Sequence, residues 1–144
     1  MEIREILSLK SDVIHSIAPT DLVPDAVVKM VNLGIGSLVV MQNEEMVGFI
    51  TERDIVQGMM KYGCDLKDAQ VSKIMATEPL VASATDSVDY ARDVLTKSHL
   101  GHLLVMEGDN LKGVISFHDV ARACLKEANF ENSLLKRYIK HWPE

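Results

Sequence analysis

The sequence predicts an α+β fold built by tandem duplication of one β-α-β-β-α motif. Three observations carry this reading. The stretch Gly48-Phe-Ile-Thr-Glu-Arg-Asp-Ile55 returns 65 positions later as Gly113-Val-Ile-Ser-Phe-His-Asp-Val120. The same spacing pairs Thr20-Asp21 with Thr85-Asp86, Ala26 with Ala91, and Gly36-Ser-Leu-Val-Val-Met41 with Gly101-His-Leu-Leu-Val-Met106. Within each copy, apolar residues pass from a helical to a strand-like period in the same order. Two copies of one pattern are expected to pack as pseudo-symmetric partners, and a cleft between them would carry the same functional groups twice.

The elements follow in order. Residues 2–7 suit a helical arm. Each repeat opens with a short extended piece, at 13–17 and 80–82. An amphipathic helix comes next. In the first copy Val23, Val27, Met30 and Val31 recur near a 3.6-residue period, with Pro24 in the first turn and Gly34 as the stop. In the second, Val88, Ala91, Val94 and Leu95 follow the capping cluster Thr85-Asp-Ser87. A hairpin joins 37–42 to 46–50, and another joins 102–107 to 111–115, with turns at 43–45 and 108–110. The apolar runs Leu38-Val-Val-Met41 and Leu103-Leu-Val-Met106 suit strands covered on both faces. A second helix closes each copy, at 52–61 and 117–128. The repeats are assigned to residues 6–62 and 71–128, with a linker over 61–68. The tail, 129–144, carries Leu134, Leu135, Tyr138 and Ile139 beside Lys136, Arg137 and Lys140, then His141-Trp-Pro143. It reads as an amphipathic docking or dimerisation helix, with too little basic charge for strong phosphate binding.

Composition narrows the function. Apolar residues make up 47% of the 144 positions, which suits a globular core rather than disorder. A net charge of −6 opposes general attraction to nucleic acid or an anionic membrane. No apolar run reaches the length of a membrane span, and Met1-Glu-Ile-Arg-Glu lacks the form of a signal peptide. Cys64 and Cys124 have no metal-ligand spacing and are expected as free thiols. A soluble, cytoplasmic protein is expected.

Chemistry gathers where each hairpin enters its last helix. Thr51 and Ser116 end a strand and precede a helix, where free N–H groups and the helix dipole favour an anion. Asp54 and Asp119 lie three residues on, and a carboxylate there can accept hydrogen bonds from the vicinal hydroxyls of a ribose. Gly48 and Gly113 allow close approach of backbone or ligand. The same Thr51–Asp54 and Ser116–Asp119 pairs also form capping boxes, which need no ligand. Asp in both copies, where a capping box prefers Glu or Gln, moves the balance towards a ligand role.

These motifs together resemble the CBS domain (cystathionine-β-synthase domain) pair, or Bateman module, over residues 6–125. The resemblance implies two repeats packed sheet to sheet about a pseudo-twofold axis, as a stand-alone module. It implies two clefts for adenosine derivatives: AMP, ADP, ATP or S-adenosylmethionine, with magnesium as a companion of ATP. It gives Asp54 and Asp119 the ribose hydroxyls, and Thr51 and Ser116 a phosphate or ribose contact. Arg53, His118 and His102 become the basic groups near phosphate, while residues 14–17 and 79–82, with Ile14, Ile17, Pro79 and Ala82, line the adenine slot. The second repeat keeps the familiar opening Val71-Ser-Lys-Ile-Met75 with Pro79, for which the first has Ile6-Leu-Ser-Leu-Lys10 and Ile14. Ser37 replaces a frequent basic residue, and Leu104 a frequent Pro.

The reading that results is a ligand-binding regulatory module, homodimeric and acting on a protein partner by a ligand-dependent shift in conformation, with no catalysis of its own. His99, His102 and His118 lack metal-site spacing, so no metal is assigned, and no nucleophile or phosphate-loop motif is present. The alternatives are a scaffold with vestigial clefts that binds through its tail, or a nucleic-acid-binding regulator.

Overall fold

The computed structural model describes residues 1–10 and 13–140, with side chains described as far as residue 137. The chain forms α1 (Ile3–Ser8), β1 (Ser16–Ile17), α2 (Val23–Leu33), β2 (Ser37–Gln42), β3 (Glu45–Thr51) and α3 (Glu52–Tyr62). A 3₁₀ turn at Val71–Lys73 leads to β4 (Val81–Ser83), α4 (Val88–Ser98), β5 (His102–Glu107), β6 (Asn110–Ser116) and α5 (Phe117–Lys140). The α+β duplication is as the repeat predicts.

The chain divides into two compact units. A continuous unit holds Val13–Leu80, and a split unit joins Met1–Asp12 to Val81–Glu144. Each contains a three-stranded sheet, β1-β2-β3 or β4-β5-β6, with one parallel and one antiparallel pair. Both hairpins shift register at matching places, Val40/Met41 and Val105/Met106. The duplication extends to such irregularities.

Local chemistry explains the repeated residues. Asp21 and Asp86 each hold the turn after the first strand, accepting from the Ala18 and Ser83 amides at 3.0 and 2.8 Å. Ser87 caps α4 by accepting from the Tyr90 amide at 3.0 Å. Gly34 ends α2 in the left-handed region, φ 65°, and His99 takes the matching position in α4 at φ 57°. Strands β2 and β5 are buried continuously through Leu38, Val39 and Val40, and through Leu103, Leu104 and Val105.

Two helices differ from expectation. The buried face of α2 is Val23, Ala26 and Met30, matching Val88, Ala91 and Leu95 of α4. Val27 and Val31 lie outside it, with Val31 73% exposed, because the residues that meet the sheet fall at 23, 26 and 30 and the others face away. The helix from Phe117 does not stop near Ala128 before a separate tail helix. It runs unbroken to Lys140, since the junction contains no Gly or Pro to end it. Beyond its packed first half, Phe130, Leu134 and Leu135 are exposed. The side chains of Tyr138 and Ile139, and His141-Trp-Pro143, lie outside the described residues.

The opening segments locate the second departure. The Ile3 amide donates to the Asp86 carbonyl and the Arg4 amide to the Ala84 carbonyl, both at 2.9 Å. In the continuous unit, Val71 and Ser72 donate to the Asp21 and Pro19 carbonyls at 2.8 and 3.0 Å. The counterpart of Val71-Ser-Lys-Ile-Met75 is therefore Ile3-Arg-Glu-Ile-Leu7, rather than Ile6-Leu-Ser-Leu-Lys10. Seven positions separate Leu7 from Ile14, against four between Met75 and Pro79. The first repeat thus carries a three-residue insertion before its first strand, and Lys10 belongs to it.

Candidate ligand site

In the continuous unit, Thr51 leaves β3 with extended backbone and caps α3. Its Oγ1 accepts from the Asp54 amide at 3.3 Å, and its own amide donates to Asp54 Oδ2 at 2.9 Å. The Thr51 hydroxyl also donates to Oδ2, at 3.1 Å. In the split unit, the Ser116 amide donates to Asp119 Oδ2 at 2.9 Å, and the Asp119 amide to Ser116 Oγ at 3.0 Å. Both pairs are thus capping boxes in fact. The bonds to each carboxylate all fall on Oδ2, and Oδ1 takes no part in them.

The units diverge at one cation. The Lys10 ammonium donates to Asp119 Oδ2 at 2.7 Å and to the Val114 carbonyl at 2.9 Å. Half-burial pushes the Asp119 carboxyl up, but the Lys10 ammonium and the Ser116 donors outweigh it and hold the group below its ordinary value. At the matching place in the continuous unit the partner is backbone. Ala76 exchanges hydrogen bonds with Phe49, 2.8 Å to its carbonyl and 2.9 Å from its amide. A lysine in one unit therefore satisfies the edge-strand carbonyl that a short bridge satisfies in the other.

The repeated glycines seat the opening segments. A Cβ on Gly48 would meet Met75 Sδ at 2.6 Å and the Ala76 carbonyl at 3.0 Å, and one on Gly113 would meet Leu7 Cδ2 at 2.9 Å. Their close approach is to protein. The remaining residues named from the sequence are spread around this core. Arg53 and His118 are exposed on the first turns of their helices, and His118 Nε2 lies 2.7 Å from Arg122 Nη2. His102 is half-buried and stands opposite Ser116 in the β5–β6 register. Ile17 and Ala82 belong to the two hydrophobic cores, and Ile14 and Pro79 are half-buried. Lys10 was not indicated by its own repeat position; its only sequence signal is the three-residue insertion.

Among the described residues, no three His, Cys, Asp or Glu side chains gather as a metal site, and no helix is long and apolar enough to cross a membrane. Cys64 and Cys124 are free thiols.

A duplicated α+β unit with a hydroxyl–carboxylate pair at each strand-to-helix turn defines a tandem-repeat module of the CBS type. The comparison with known families agrees: the CBS domain model matches residues 3–61 and 71–126, and the chain belongs to that family. Its first matched residue is Ile3, as the structural register requires. The chain is 30% identical over 125 residues to the mitochondrial CBS domain-containing protein CBSX3 of Arabidopsis thaliana, covering 83% of this chain and 61% of that protein's length. A protein with CBS domains from Burkholderia ambifaria MC40-6 has a TM-score of 0.82 at 27% identity, over 88% of this chain and 95% of that one. CBS domain protein PAE2072 from Pyrobaculum aerophilum, solved in complex with AMP, shares the fold with a TM-score of 0.73 at 24% identity, over 88% and 97%.

Proposed function

We propose that the chain is an adenosyl-ligand-binding regulatory module without catalytic activity of its own. The observation that carries this reading is the repeated pair Thr51–Asp54 and Ser116–Asp119, in each of which the helix cap uses carboxylate Oδ2 and leaves the other oxygen outside the cap. Such an oxygen suits a ribose hydroxyl. AMP held by the same fold in the Pyrobaculum protein supports the ligand class. AMP, ADP, ATP with magnesium, and S-adenosylmethionine are the compounds to test. Ligand occupancy would favour one conformation, and a second copy or a partner protein with different affinity for the two states would read it. A cytoplasmic homodimer is part of the proposal.

Calorimetric titration of these compounds into wild type, Asp54→Ala and Asp119→Ala tests it. Binding that vanishes with one Asp supports the sensor. No heat with any compound reduces both pairs to helix caps. A scaffold reading would then lead, favoured by the exposed Phe130, Leu134 and Leu135 on α5. Loss of a partner on truncation after Asn129 would support that second reading.

A further inference from the structure

The helix α5 carries a stripe that its own unit covers at one end and leaves bare at the other. Positions 120, 123, 127, 130, 134 and 137 follow at alternating steps of three and four. That spacing sets Val120, Ala123, Glu127, Phe130, Leu134 and Arg137 along one side of the helix. Val120 and Ala123 are buried in the core of the split unit. Phe130 and Leu134 are 66% and 48% exposed, and Leu135 is exposed to one side of them. The bare part lies beyond residue 126, where the match to the CBS domain model ends, so the repeat does not account for it. A helix of that length alone would be marginal in water. Here the packed first turns hold it formed, and little ordering cost remains for a partner to meet.

The charges at the ends of the bare part are the informative feature. From Glu127 the stripe runs acid, apolar, apolar, base at steps of three, four and three. Turned end for end, the spacing is unchanged and the two charges exchange places. Two copies laid antiparallel along this stripe therefore set Phe130 against the partner's Leu134, and Glu127 against the partner's Arg137. Twofold symmetry makes each contact twice. Laid parallel, the same helices would set Glu127 against the partner's Glu127 and Arg137 against the partner's Arg137, with like charges in both end layers. Among the described residues Arg137 makes no ion pair. Glu127 Oε1 lies 3.4 Å from the Met1 amino group, and its side chain is still 38% exposed.

We infer that the bare stripe of α5 is an interface for a second copy of this chain, the two α5 helices running antiparallel. A second copy supplies an apolar pair flanked by the opposite charges at the matching spacing. The apolar part is two side chains deep on each helix, so the dimer made here dissociates on dilution. The inference rests on the homodimer proposed above and gives it a surface and an orientation. It does not rest on the ligand role of Asp54 or Asp119.

The test is sedimentation equilibrium of the full chain over a range of concentrations, with circular dichroism to check folding. Wild type is compared with Leu134→Ser, Arg137→Glu and the double variant Glu127→Arg, Arg137→Glu. Leu134→Ser should weaken self-association at least about tenfold and Arg137→Glu at least about threefold. The double variant should return to within about twofold of wild type, because exchanging the two charges restores an acid opposite a base in the antiparallel pair. In a parallel pair the exchange would leave like charges in both layers and no recovery. Self-association unchanged in folded Leu134→Ser would overturn this interface and leave a homodimer formed elsewhere. Self-association weakened by Leu134→Ser but not recovered by the double variant would overturn the antiparallel pairing. Wild type that stays monomeric throughout would overturn both the interface and the homodimer, while the ligand reading would still stand or fall by calorimetry.

Discussion

The two units share a plan and differ in how their carboxylates are held. Asp54 is bonded within its own turn, by Thr51. Asp119 is bonded within its turn and also by Lys10, which is 109 residues away in sequence. The extra bond comes from three inserted residues before the first strand, so a small change in one connecting segment makes two matching sites electrostatically unequal. A duplicated motif guarantees equal geometry at the turn. It does not guarantee equal charge there, because the segment that covers the turn lies outside the repeating part.

The comparison can be pressed at three levels. Leu38 and Leu103 are buried at matching strand positions. Leu38→Ala and Leu103→Ala should each lower the unfolding free energy by about 2–5 kcal/mol in urea denaturation. Losses differing by more than about 2 kcal/mol would show that the two cores are not equivalent.

The glycine seats should respond unequally. At Gly48 an added methyl faces both a side chain and the fixed Ala76 carbonyl, whereas at Gly113 it faces only the movable end of Leu7. Gly48→Ala should cost about 1–3 kcal/mol and Gly113→Ala visibly less, by the same denaturation assay. A larger loss at Gly113 would contradict the packing described.

The ion pair gives the smallest effect and the sharpest signature. Lys10 is 38% exposed, so solvent screening limits Lys10→Met to a loss of about 1 kcal/mol or less. Its pH dependence has a definite sign. The Asp119 carboxyl titrates below 3.8 in the folded chain, so the pair stabilises above that pH and its contribution is lost as pH falls through the lower folded value. The stability difference between wild type and Lys10→Met should be constant near neutrality and shrink below about pH 3.8. A difference that grows on acidification would mean that Lys10 does not hold the ionised carboxylate.

The parts of this architecture that depend on neighbouring residues were legible in the sequence. The hairpins, the Gly34 stop, the Ser87 cap and the Thr51–Asp54 and Ser116–Asp119 pairs all rest on spacings of a few residues, where periodicity and capping chemistry act directly. Contacts between distant segments were not legible. The pairing of Ile3 and Arg4 with Asp86 and Ala84 has no local signal, and the 65-residue spacing that holds elsewhere pairs Lys10 with Met75 and conceals the insertion. Valines at 27 and 31 fit a helical period as well as Ala26 does, and only the position of the sheet shows which of them are buried. The change of composition near residue 129 resembles a boundary, yet α5 continues through it because no Gly or Pro stands there.

The arm that begins the chain lies against the second repeat, and the 3₁₀ turn that begins the second repeat lies against the first. Neither repeat therefore completes itself. Each repeat's opening segment thus completes the unit formed by the other repeat, so a chain cut between the repeats would leave each half without its own cover.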